Sequence, residues 1–171
     1  GLGLLADHLK SGSLEPGARI LERLRAHLDA DRRSLEVEQA EMAVRLARYL
    51  QAPEPSIHPE LTSQAQDYVE RLSFVDWARS RLAGSTTHPG LQAAYSRLLT
   101  EVLGRREISN QSFADALRSW HEGGASNREL LVGEEFLPVV LAPLLKHHRV
   151  LLVVLDGCGL SSLRELFPSL E

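Results

Sequence analysis

A chain of 171 residues, with 43% apolar and 25% charged side chains, has room for one domain with a substantial core, or for one domain and part of another. A net charge of −4 and a pI near 6.0 give no long-range attraction for nucleic acid or an anionic membrane, and no apolar run or leader segment long enough to engage a bilayer is present. The single cysteine, Cys158, excludes an internal disulfide and a multi-cysteine zinc site and fits a reducing cytoplasm.

Ile20, Leu21, Leu24 and Leu28 recur at helical spacing, and after the polar run Asp29 to Ser34 so do Met42, Leu46, Tyr49 and Leu50. This predicts two amphipathic helices, or one long helix with a weak middle. Pro53, Pro55 and Pro59 break the pattern, because each lacks a backbone donor and restricts its predecessor. Tyr68, Leu72, Val75, Ala78 and Leu82 form the next stripe, ended by Gly84 and the Ser-Thr-Thr run. Pro89 suits the first turn of the following helix, whose apolar face is Leu91, Tyr95, Leu98 and Val102 and whose end is expected at Gly104 and Arg105-Arg106. Phe113, Leu117 and Trp120 then carry a separate helix capped by Gly123-Gly124. Trp77 and Trp120 lie on helical faces and are expected in the core. Phe136 to His148 reads as a final helix, with Pro138 near its start and Pro143 inside it, where a kink or early stop is expected. Strand-like alternation is absent before position 148, and no repeat is in register. The first part is therefore a bundle-like set of about five or six helices.

At Arg149 the pattern changes. Val150-Leu151-Leu152-Val153-Val154-Leu155 is the pattern of a strand buried on both faces of a parallel sheet. It runs into Asp156-Gly157-Cys158-Gly159, so a carboxylate stands at the carboxyl end of the strand, the edge where open α/β sheets place ligands. Gly157 permits a tight departure, and Gly159 keeps side chains away from the carboxylate. Ser162 with Glu165 three residues later reads as a capping box opening a short helix through Leu163, Leu166 and Phe167. Strand, Asp-Gly-x-Gly and helix together form the outline of an anion or metal–phosphate site. Asp156 would be a hard oxygen ligand of a divalent cation whose other ligands come from other strands.

The competing reading of Asp156-Gly157 is a plain turn after a buried strand. A haloacid-dehalogenase-like pair needs a second acid where Cys158 stands, and a phosphate-cradling loop needs a Gly-Lys-Ser/Thr that is absent. Gly1-Leu2-Gly3 lacks the strand and the third glycine of a dinucleotide fingerprint. Cys158 has no assignable base and reads as a small packed side chain; His147-His148 sit at a predicted helix end, where imidazolium suits the dipole. Arg45, Arg48, Arg79 and Arg81 would serve nucleic acid only if they gathered on one face.

The run from Glu134 to Leu170 resembles the entry to the phosphatase domain of PglZ proteins. The residues that carry the likeness are Phe136-Leu137-Pro138-Val139-Val140-Leu141-Ala142-Pro143, leading to residues 150–157. PglZ proteins are components of BREX-type bacteriophage-resistance systems, and their catalytic domain is similar to the alkaline phosphatase superfamily. The helical region before it resembles the middle part of that group in general character. Cofactor-independent phosphoglycerate mutases have a similar Leu-Asp-Gly-x-Gly opening, but near the amino terminus and without a helical domain before it.

The resemblance implies a mainly α chain in which residues 1–147 form a helical domain and residues 148–171 begin a truncated α/β, alkaline phosphatase-like domain. It implies that Asp156 is a ligand of a catalytic divalent metal, Zn or Mn, in a longer metal-dependent phosphatase or phosphodiesterase. The hydroxyl nucleophile and remaining ligands would lie beyond Glu171, so the chain by itself is expected to be inert and to hold no metal tightly. The start at Gly1 agrees with a segment of a longer protein. The helical part is then expected to be a scaffold or docking module for other phage-defence proteins in the cytoplasm, with self-association through residues 150–155. Another metalloenzyme of the superfamily, such as a phosphomutase, or a helical nucleic-acid-binding module are the alternatives.

Overall fold

The computed structural model describes residues 2–11, 14–26, 34–53, 59–84, 86, 88–123 and 130–166. Every regular element among them is helical: α1 (Leu2–Ser11), α2 (Leu14–Arg25), α3 (Ser34–Gln51), α4 (Leu61–Asp67), α5 (Ser73–Leu82), α6 (Pro89–Glu122), α7 (Gly133–Phe136), α8 (Ala142–Leu145) and α9 (Leu160–Leu166). Two π turns, Tyr68–Leu72 and Leu137–Leu141, join α4 to α5 and α7 to α8 without a break. The chain is mainly α, and no helix among the described residues is long and apolar enough to cross a membrane. Leu28, and with it the question of one helix or two, lies outside the described residues, as do Pro55 and Gly124.

The core gathers the apolar stripes of α1, α2, α3, α5 and α6, with α3 touching the other four. Leu46, Leu82, Leu91, Tyr95 and Val102 are fully buried at its centre, and Ala40, Ala43 and Ala78 keep the helices close. Burying each large side chain here contributes roughly 1.5–3 kcal/mol. Leu5 and Ala6 of α1 are as buried as any of these. The sequence reading missed this helix, although Leu5 and Leu9 stand at i, i+4. Trp77 packs at the core edge, whereas Trp120 lies outside it against His121.

Between α2 and α3, Arg25 Nη2 and Glu41 Oε2 meet at 2.6 Å, and Arg45 Nη2 lies 2.7 Å from Glu41 Oε1. Partial burial pushes the Glu41 carboxyl up, but the two guanidiniums outweigh it and hold the carboxyl below the usual glutamate range. A lowered folded-state value means that this contact stabilises the fold above the ordinary glutamate range and is lost as pH falls through the lowered value.

Tyr95 is 1% exposed, and burial pushes its phenol well above the usual tyrosine range. Its hydroxyl has no hydrogen-bond partner among the described residues. Tyr95→Phe is therefore expected to leave stability unchanged or raise it by about 1 kcal/mol, because an unsatisfied polar group leaves the core and the ring stays. Urea denaturation measures this, and a loss above about 1 kcal/mol would show that the hydroxyl has a partner.

Gly104 does not end a helix. α6 runs for 34 residues through it, merging the two helices expected from the sequence. A mid-helix glycine costs about 1 kcal/mol against alanine, and the two arginines after it offset that through distant partners. Arg105 Nη1 donates to the carbonyls of Tyr49, Leu50 and Ala52 at 2.6, 3.1 and 3.0 Å, and Nη2 donates to that of Pro53. These are the orphan carbonyls and exit turn of α3, so Arg105 acts as its C-terminal cap while its guanidinium stacks 4.6 Å from the Tyr49 ring centre. Arg106, 7% exposed, turns the other way onto Asp76 of α5, with Nε to Oδ1 at 3.2 Å and Nη2 to Oδ2 at 3.1 Å.

The helix expected over Phe136 to His148 begins earlier, at Gly133, and is regular only to Leu145. Pro143 follows the π turn that ends at Leu141, whose wider winding accommodates a residue that has no N–H and a ring facing the preceding carbonyls. Residues 149–155 then form neither helix nor ladder, so the strand drawn from the sequence is not formed. The reason is physical: a strand is defined by its neighbour, and no second extended segment among the described residues lies beside this one.

Candidate functional site

The Asp156 turn is built locally by its glycines. Gly157 has φ +70°, in the left-handed region that side chains with a Cβ rarely adopt, and the turn closes with Cys158 N–H donating to the Leu155 carbonyl at 3.4 Å. Leu163 N–H donates to the Gly159 carbonyl at 3.0 Å, so α9 opens immediately after Gly159. This corrects the capping box: Ser162 lies inside the first turn of α9, and Glu165 is used elsewhere. Its Oε1 sits 2.6 Å from Arg81 Nη2, at the end of α5. Arg81 Nε also lies 3.2 Å from Glu38 Oε1 of α3, an ion pair without hydrogen-bond alignment.

Asp156 is exposed, at the junction between the irregular segment 149–155 and α9. Cys158 is a half-buried free thiol, and His147 and His148 are exposed just past α8. No group of three or more His, Cys, Asp or Glu side chains that could hold a metal ion occurs among the described residues. Asp156 supplies one hard ligand, and a single monodentate carboxylate binds a divalent cation weakly. The described residues around Asp156 do not by themselves form a metal-ligand cluster.

The arginines singled out for a nucleic-acid face are mostly committed to carboxylates. Arg45 pairs with Glu41, Arg79 Nη1 sits 2.8 Å from Asp76 Oδ1, and Arg81 serves Glu38 and Glu165. What sequence reasoning missed is the seat of α9, the helix that follows the Asp156 turn. Arg164 of α9 reaches the π turn before α5, with Nε donating to Ser73 Oγ at 2.8 Å and Nη2 donating to the Val69 carbonyl. These contacts join positions 91 and 95 apart in the chain, a separation at which no local pattern gives a signal. No family model, no curated protein and no solved structure matches the chain.

Proposed function

We propose that the chain is the helical scaffold of a PglZ-type bacteriophage-defence protein, leading into an alkaline phosphatase-like domain in which residues 150–155 are the first strand. Asp156 would there be one ligand of a catalytic Zn or Mn ion, and the helical body would dock other defence components. The observation that carries this reading is the state of residues 150–155. All six are apolar, and all six are exposed, from 36% at Val150 to 87% at Leu151. They stand directly before a carboxylate, a left-handed glycine and a helix. Such a run is costly to leave in water, and a parallel sheet covers both of its faces. The same sheet would bring further ligands to the carboxyl end where Asp156 stands.

Metal-assisted hydrolysis needs cations held by several protein groups, to activate a nucleophile and stabilise the leaving oxygen. The 171-residue chain is therefore expected to show no turnover of an aryl phosphate or phosphodiester with added Zn²⁺ or Mn²⁺. A longer protein that completes the sheet should hydrolyse one of them, and Asp156→Ala should lower that rate by about 100-fold or more, equivalent to roughly 2.7 kcal/mol of barrier. Turnover by the 171-residue chain that survives Asp156→Ala, or a longer protein without metal-dependent turnover, would overturn the reading.

A further inference from the structure

α9 rests on the helical body through the side chains of two adjacent residues, Arg164 and Glu165, and partial cover of Leu160 and Leu163. None of its residues is buried, and Leu160, Ser161 and Leu163 are half-covered. The π turn makes the receiving site. Ser73 N–H bonds back to the Tyr68 carbonyl, five residues earlier, so the Val69 carbonyl loses the donor that a regular α-helix would give it. Ser73 Oγ takes that donor's place, donating to the Val69 carbonyl at 3.0 Å, and the edge of the Arg164 guanidinium covers both oxygens. Ser73 is completely buried as a result. At the next residue of α9, Glu165 meets Arg81, whose Nε also lies near Glu38 of α3.

From this geometry we infer that α9 is a salt-releasable clasp. Its socket is formed by Val69 of the π turn and Ser73 at the start of α5, and its closure holds against α5 the helix that directly follows the Asp156–Gly157 turn. Closed, the clasp places Asp156 at one position on the helical body; open, it frees residues 149–166 to swing away as one piece. Of these contacts the partly exposed Glu165–Arg81 pair is the ionic one and weakens with salt, whereas the Arg164 hydrogen bonds end on neutral oxygens and the apolar contacts of α3 and α6 are not screened. The regulatory meaning of where Asp156 sits rests on the functional reading above, but the clasp itself does not. Its test involves neither metal nor turnover, so either can fail alone.

Hydrogen exchange of the full 171-residue chain, followed by mass spectrometry, reads the clasp directly. At low salt the amides of 163–166 should be protected. Raising NaCl to about 1 M, where the screening length is near 3 Å, should speed their exchange about three- to fivefold while α3 and the first half of α6 are unchanged. Arg164→Ala and, separately, Glu165→Lys should give the same acceleration at low salt, each with an unaltered thermal melt of the body. Glu165→Gln tests charge alone and should fall between wild type and these two variants. Equal exchange in wild type and both variants at both salt levels would overturn the clasp and leave Leu160 and Leu163 as what holds α9. A melt lowered by Arg164→Ala as a whole would overturn it too, by making α9 part of the cooperative core.

Discussion

Asp76→Ala should destabilise the fold by about 3–5 kcal/mol, a large part of the roughly 5–15 kcal/mol that a domain of this size has. The reason is the partner left behind. The Arg106 side chain is 8% exposed, its Nε and Nη2 both engage the Asp76 carboxylate, and the Tyr68 ring stands 5.9 Å from its guanidinium. Removing the carboxylate strands a permanent cation where water reaches poorly, and Arg79 loses its own ion pair at the same time. The double variant Asp76→Leu with Arg106→Met should recover most of the loss, because an apolar pair of similar volume carries no desolvation cost. Chemical denaturation of the single and double variants checks both expectations. A single-variant loss below about 1 kcal/mol would show that Arg106 is solvated and that the pair behaves as a surface bridge.

The second large effect concerns the association state. At concentrations used for crystallisation the chain should self-associate through residues 150–155, and removal of residues 149–171 should return it to a monomer by light scattering. Six exposed apolar side chains in sequence, on a backbone whose residues 150–154 make no ladder bonds among the described residues, form an unprotected edge of the kind that pairs with a copy of itself. The shortened chain should keep a cooperative helical melt, since the buried core lies in α1, α2, α3, α5 and α6. Two monomeric proteins at high concentration would exclude pairing, and loss of the cooperative transition would place the domain boundary elsewhere.

What could be read from the sequence was whatever a 3.6-residue period controls. The period places Met42 and Leu46, Val75, Ala78 and Leu82, and Leu91, Tyr95, Leu98 and Val102 on apolar faces, and all of them are buried. The errors fall where distant partners override local signals. Gly104 followed by two arginines has the form of a helix end, but Arg105 caps a helix more than fifty positions earlier and Arg106 pairs with a residue 30 positions away. Both π turns were invisible, because the diversion of the Ser73 N–H has no residue signature. At the candidate site, the Asp156–Gly157 turn was legible from its dipeptide. The use of Glu165 was not, since its partner Arg81 lies 84 positions back. The run at 150–155 shows the converse: its composition asks for a sheet, and the described residues offer no neighbour to make one.

α6 has one further consequence. After Arg106 it buries only Ala116 among the described residues, and Gln64 Nε2 reaches it at Ser112 Oγ at 3.1 Å. Residues 107–122 therefore extend the helix about 24 Å past the Arg105–Arg106 anchor, at 1.5 Å per residue, with α4 as the element seen to touch them among the described residues. Ile108, Phe113 and Leu117 are exposed along it. A single unbroken helix thus contains a gradient of local stability, from a first half that opens only with the whole fold to a far end that frays alone. Because helix propagation is cooperative, the first half stiffens this extension, and the anchoring of Arg105 and Arg106 sets the direction in which it points.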